Sequence, residues 1–102
     1  TRGVDALHVS TGGAVIADIA VGPEYQVGFA RTLRDAVSMP VAAVGLITEP
    51  TGAQAVLDRG DADFVAVGRA ALREPGWPQR AAHELGVRDG ALYPGAYRRG
   101  SW

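Results

Sequence analysis

The apolar positions change their period repeatedly along the chain. Asp5-Ala6-Leu7-His8-Val9-Ser10 reads as a short strand closed by Thr11-Gly12-Gly13. Ala14 to Gly22 is apolar but irregular, with Asp18 its only charge, and Pro23 closes it. That stretch reads as a loop that packs against something. From Glu24 the spacing turns helical. Tyr25, Phe29, Leu33 and Ala36 form one stripe with Ala30 and Val37 alongside, while Arg31, Arg34 and Asp35 take the other side. Met39-Pro40 stops this helix. Val41 to Gly45 is a continuous apolar run without alternation, which suits a parallel strand buried on both faces. Thr48 is positioned as an N-cap with Pro50 in the first turn. The helix it starts runs to about Arg59, with Ala53, Val56 and Leu57 inward and Gly60 as its stop. Asp63 to Gly68 is a third buried strand. Ala70 to Arg73 forms a helical turn, Pro75-Gly76 interrupts it, and Pro78 to Leu85 is a further helix ended by Gly86. Val87 to Trp102 is a tail with no clear period.

Strands alternating with helices specify βαβ units, a parallel sheet and right-handed crossovers. Three parallel strands leave two open edges. A doubly wound sheet wants about five strands and a (β/α)₈ barrel eight. The strand count therefore predicts a piece of a larger α/β fold, and a start at Thr1 without methionine points the same way.

Composition narrows the function classes. The chain has 102 residues, 47% hydrophobic and 21% charged, which is the balance of a folded domain. A net charge of −1 argues against a nucleic-acid or membrane partner found through bulk electrostatics, so any anion site must be local. Cysteine is absent, which removes disulfides and thiolate chemistry. Without a signal peptide or a run of eighteen apolar residues, a cytoplasmic location is expected. All ten basic residues are arginine, a bias that a GC-rich genome explains, so arginine content by itself carries no function.

The candidate chemistry lies at two strand ends. Val44-Gly45-Leu46-Ile47-Thr48 and, 23 positions later, Val67-Gly68-Arg69-Ala70 each close a β-branched run with glycine before a helical pattern begins. Phosphate binds where backbone N–H groups converge, and glycine lets an oxygen approach the main chain without a Cβ in the way. Arg69 adds forked, charge-assisted hydrogen bonds. Ser10, at the end of the first strand, would line the same mouth, or act as a turn hydroxyl. Either glycine alone would read as a turn residue; the pair at repeat spacing with Arg69 attached reads as a phosphate cradle. His8 sits inside a strand as a packed or lining residue, and His83 lies on a solvated helix face. No nucleophile–base pair and no metal-ligand cluster is present, so neither catalytic nor metal-binding residues are assigned.

These residues resemble the C-terminal part of the Old Yellow Enzyme family of NADH:flavin oxidoreductases, or ene-reductases, in its bacterial arginine-tail branch. The matching pieces include Val4-Asp5 to Val9-Ser10, Ala17-Asp18-Ile19, Gly22-Pro23 to Val27 and Ala43 to Thr48. Further matches are Gly60-Asp61-Ala62-Asp63, Val67-Gly68-Arg69-Ala70 and Leu72-Arg73-Glu74-Pro75. Tyr97-Arg98-Arg99-Gly100-Ser101-Trp102 is similar to the branch's terminal Tyr-x-Arg-Gly-Trp, with Ser101 one residue extra.

The resemblance implies the C-terminal (β/α)₃ portion, strands six to eight, of an FMN-binding TIM (β/α)₈ barrel over 1–86. It implies a C-terminal tail with a subunit contact over 87–102. Gly45, Gly68, Arg69 and Ser10 would hold the FMN phosphate, and Arg99, or Arg98 in a shifted register, would reach a neighbouring subunit's active site. The whole protein would pass a hydride from NAD(P)H through FMN to an activated C=C bond of an enone-like small molecule. It would work as a dimer or tetramer, without a nucleic-acid or membrane partner. The family's flavin-facing and substrate-anchoring residues fall outside this sequence, so the chain alone should be inactive. Two other readings remain open. One is the phosphate-binding portion of a different TIM-barrel enzyme, and the other is a non-enzymatic partial-barrel interaction module.

Overall fold

The computed structural model describes residues 3–12, 14–88 and 90–102. Thr1 and Gly13, expected at the chain start and at the close of the first strand, lie outside the described residues. Three short strands, β1 (Leu7–Val9), β2 (Val41–Ala43) and β3 (Phe64–Val65), form one sheet in chain order. Both pairings are parallel, with Leu7 opposite Val41, His8 opposite Ala42 and Ala42 opposite Phe64. Between and after the strands lie α1 (Val27–Ala36), α2 (Pro50–Asp58), α3 (Arg69–Arg73) and α4 (Trp77–Glu84). Two 3₁₀ turns, Gly90–Leu92 and Gly95–Gly100, shape the tail that was expected to be irregular. No described helix is long and apolar enough to cross a membrane.

The expected alternation is present, but each strand is shorter than the apolar run that encodes it. The run 41–45 stops pairing at Ala43 because Gly45 and Leu46 both take positive φ, 124° and 52°. Strand order without reversal places successive helices on one side of the sheet, as in a barrel wall or in one half of a doubly wound sheet. Alternation along each strand then sorts the side chains. Val9, Val41 and Ala43 face the helices and are buried, Val41 and Ala43 completely. They meet Val27 and Ala30 of α1 and Pro50, Ala53 and Val56 of α2.

The other face is bare. His8 is exposed and Phe64 is 57% exposed in the same cross-strand row as Ala42. The expectation of strands buried on both faces is thus corrected: helices cover one face, and nothing among the described residues covers the second. The α1 stripe is corrected too. Val27 and Ala30 are buried, whereas Phe29 and Leu33 are 52% and 40% exposed. They overhang the free edge of β1, where they line an apolar groove of about 460 Å³ with Leu7 and Val9. The loop 14–21, expected to pack, instead presents Val15, Ile16 and Val21 outward. At α2 the cap position belongs to Glu49, in extended conformation and without a capping side chain; Thr48 lies one residue too early, and Pro50 opens the helix. The stops at Gly60 and Gly86 hold, each with the positive φ of a helix end.

Charge fixes the opposite ends of the strands. Asp63 donates its N–H to the Val41 carbonyl at 2.8 Å. Its Oδ2 accepts the Val41 N–H at 2.9 Å, and its Oδ1 accepts from the Arg34 guanidinium at 3.1 Å. One carboxylate therefore sets the β2–β3 register and ties α1 to it. Buried Asp61 accepts from Arg59 at 2.8 Å and from Arg31 at 3.1 Å. The hydrogen bond from Arg59 is the main reason the Asp61 carboxyl is held below the usual carboxylate range. For Asp63 the main cause is the Val41 N–H. Both acids therefore stabilise the fold fully above the unfolded carboxyl pKa of about 4, and that contribution is lost as pH falls through their depressed values. Asp61→Asn should cost about 1–2 kcal/mol at pH 7, reduced from a buried pair because both arginines are partly solvated. Its stability should also depend less steeply on pH below 5; urea titrations across pH 3–7 measure both effects.

Candidate functional site: a cleft at the strand ends

The C-terminal ends of β2 and β3 open into a cleft of about 220 Å³. Ser10, Gly45, Gly68 and Arg69 all line it, so the structure brings together the residues singled out at separate strand ends. This is the side of a parallel α/β sheet on which ligands bind. The cleft contains no carboxylate, and Arg69 is its only charged lining side chain. Among the described residues Arg69 forms no hydrogen bond or ion pair with its side chain. Arg31, Arg34, Arg59 and Arg80 are each paired with acids.

The two glycines serve different constraints. Gly45 has φ 124°, and a Cβ there would stand 3.1 Å from the Gln26 backbone nitrogen. Its absence of a side chain is demanded by the chain itself. Gly68 has φ −97°, and a Cβ there would meet nothing within 4 Å. No contact among the described residues requires glycine at 68, and Gly68 lines the cleft. Bare main chain beside an uncompensated guanidinium suits an oxyanion such as a phosphate monoester.

Two flanking contacts hold the cleft wall. Gln26, 4% exposed, accepts the Thr11 N–H through Oε1 at 2.6 Å and donates through Nε2 to the Tyr25 hydroxyl at 2.5 Å. Trp77, buried on α4, donates its indole N–H to the Thr48 carbonyl at 2.7 Å. Trp77 thereby ties down the loop carrying Gly45 at Thr48, while Gln26 packs directly against Gly45. Tyr25 and Gln26 line the cleft but were not anticipated there, because Tyr25 fits the apolar stripe of the following helix. The available signal was Gln26 itself, an amide at the start of an apolar helical face.

The remaining candidates lie elsewhere. His8 is on the bare sheet face. His83 stacks on Trp102 with ring centroids 4.8 Å apart, so it is not simply solvated. Arg99 is exposed on the last 3₁₀ turn and lines neither the cleft nor the small cavity between α4 and the tail.

Comparison with known proteins adds an independent line. The sequence profile of the NADH:flavin oxidoreductase / NADH oxidase family matches residues 4–87. An NADPH dehydrogenase of Geobacillus thermodenitrificans is 50% identical over 99 residues, covering 97% of this chain and 28% of that protein. An NADPH dehydrogenase of Bacillus licheniformis is 47% identical over 87 residues, 85% of this chain and 26% of its own length. One from Bacillus subtilis is 41% identical over 99 residues, 97% and 29% respectively. The chain thus spans little more than a quarter of the length of these relatives.

The unequal glycines give a direct test. Gly45→Ala should destabilise the fold by about 1–3 kcal/mol, from its φ and its clash with Gln26. Gly68→Ala should change stability by less than about 0.5 kcal/mol. Parallel thermal melts of the two variants measure the contrast.

Proposed function

The chain belongs to the NADH:flavin oxidoreductase / NADH oxidase family, and from that premise we propose that it forms the C-terminal, FMN-phosphate-binding portion of a flavin-dependent NAD(P)H oxidoreductase. On this reading β1, β2 and β3 are strands six to eight of an eight-stranded barrel. The singly wound sheet, its two open edges, its bare second face and the greater length of the relatives all support that assignment. The relatives' name, NADPH dehydrogenase, favours NADPH as the reductant. The observation that carries the proposal is Arg69, the one charge in a cleft without acids.

The residues present fit the phosphate end of FMN. Arg69 supplies a forked cationic donor, and the Gly45 and Gly68 main chain leaves room for the ester oxygens. Ser10 adds a hydroxyl at the rim. FMN, when bound, supplies the hydride chemistry, here toward an activated C=C bond of an enone-like acceptor. On this reading the cleft residues bind and orient the cofactor. Rigid placement matters because a cofactor held by its phosphate transmits any play in the cradle to its reactive ring. The pinning of the Gly45 loop by Gln26 and Trp77 supplies that rigidity.

Arg99 belongs to the same reading in a different role. Exposed on the terminal 3₁₀ turn and outside its own cleft, it is available to a neighbouring subunit of a dimer or tetramer. Arg98 is its alternative.

In the flavoprotein that contains this chain, Arg69→Ala should weaken FMN retention by about 1.5–3 kcal/mol, the value of a charged hydrogen bond. The exposed Arg73→Ala control should leave retention unchanged; flavin occupancy after dialysis distinguishes them, and full occupancy in the Arg69 variant would remove the cradle. Arg99→Ala should raise the KM for the acceptor with flavin occupancy intact.

A further inference from the structure

The cleft lining holds a phenol donor that the cradle of Arg69, Gly45, Gly68 and Ser10 does not use. Tyr25 is half-buried and borders the same space as Arg69. Its hydroxyl oxygen accepts a hydrogen bond from Gln26 Nε2 at 2.5 Å. The orientation of that amide is settled by chemistry. The Thr11 main-chain N–H can only donate, so the Gln26 atom facing it at 2.6 Å must be the oxygen. Nε2 is then necessarily the atom turned toward Tyr25. A phenol oxygen that accepts from an amide must direct its own hydrogen elsewhere. Among the described residues no acceptor takes that hydrogen.

Gln26 cannot easily reorient. It is buried, its backbone underlies Gly45, and both ends of its amide are engaged. Turning the amide over would set an N–H against the Thr11 N–H, donor facing donor, and would lose the 2.6 Å bond.

We infer that Tyr25 donates its hydroxyl hydrogen to the phosphate ester held in the cleft, and that Gln26 is the positioning residue that makes Tyr25 a donor. This rests on the reading of the cleft as the FMN-phosphate seat. It adds a neutral donor beside the Arg69 guanidinium, with its polarity dictated by a buried amide and not by the ligand.

The test compares FMN with riboflavin, which lacks the phosphate, in the flavoprotein that contains this chain. Tyr25→Phe should lower FMN affinity about tenfold, as for a hydrogen bond to a charged acceptor, and leave riboflavin affinity unchanged. Gln26→Glu still accepts from Thr11 but has no N–H for Tyr25. Its carboxylate instead takes the Tyr25 hydrogen and sets a negative charge beside the phosphate, so its FMN-selective loss should be at least as large as that of Tyr25→Phe. A general loosening of the fold would weaken both flavins alike, so the FMN-to-riboflavin ratio separates positioning from structural damage. Should the buried Gln26→Glu variant fail to fold, Tyr25→Phe decides alone. Equal effects on both flavins, or none on FMN, would overturn the inference. Arg69→Ala in the same assay separates the levels. An FMN-selective loss there with none in Tyr25→Phe removes only the Tyr25 assignment, whereas no selective loss in Arg69→Ala removes the phosphate seat and this inference with it.

Discussion

The cleft exists because main chain meets main chain. At Gly45 the end of β2 passes the Gln26 backbone so closely that a methyl group would stand 3.1 Å from its nitrogen. That approach allows the entry to α1 and the exit of β2 to share one wall. It also explains why pairing of β2 ends at Ala43: the chain must turn through two residues of positive φ, Gly45 and Leu46, to clear the helix start. Two hydrogen bonds tie neighbouring segments to this crossing. Thr11 reaches it through Gln26, and Thr48 is fixed beyond it by Trp77.

The arginines divide by the same geometry. Arg31, Arg34 and Arg59 converge on Asp61 and Asp63, which precede β3. Arg80 gathers Glu49, Glu74 and Glu84, and those three acceptors hold its guanidinium protonated well above the usual arginine range. In each group acids neutralise the positive charge, so it acts locally and structurally. Arg69 follows β3 on the cleft side, where no acid lines the space. One residue type thus serves two purposes, and the difference lies in what surrounds the guanidinium. The near-neutral total charge conceals this separation, because it averages paired and unpaired cations.

Element order and the gathering of Gly45, Gly68 and Arg69 at one end of the sheet were legible because they depend on local signals. Strand runs, prolines at helix starts and glycines at helix ends fix the alternation, and the spacing of Gly45 and Gly68 places both at strand ends. Contacts between distant segments were not legible. The exposed side of α1 depends on β1 being an edge, and no periodicity within α1 carries that information. The stripe of Tyr25, Phe29 and Leu33 is apolar, yet it splits between the cleft and the open edge, while Val27 and Ala30 take the core. The Gln26 bridge was hidden for the same reason. Its partners are a main-chain N–H fifteen residues away and a neighbouring phenol, neither of which leaves a spacing motif.

The bare surfaces carry the last step. A sheet covered on one face, with Phe64 and His8 outward on the other, leaves apolar area in water that an isolated parallel sheet does not sustain. The overhang of Phe29 and Leu33 beyond β1 repeats the problem at one edge. The outward apolar side chains of the loop 14–21 repeat it at the end of the sheet that bears the cleft. A single further layer would cover one of these surfaces but not all of them. A closed ring of β/α units covers the bare face by packing barrel strands around a shared interior, pairs both edges and seats a helix against Phe29. In that arrangement the cleft that Arg69 lines would open at the C-terminal mouth of the ring.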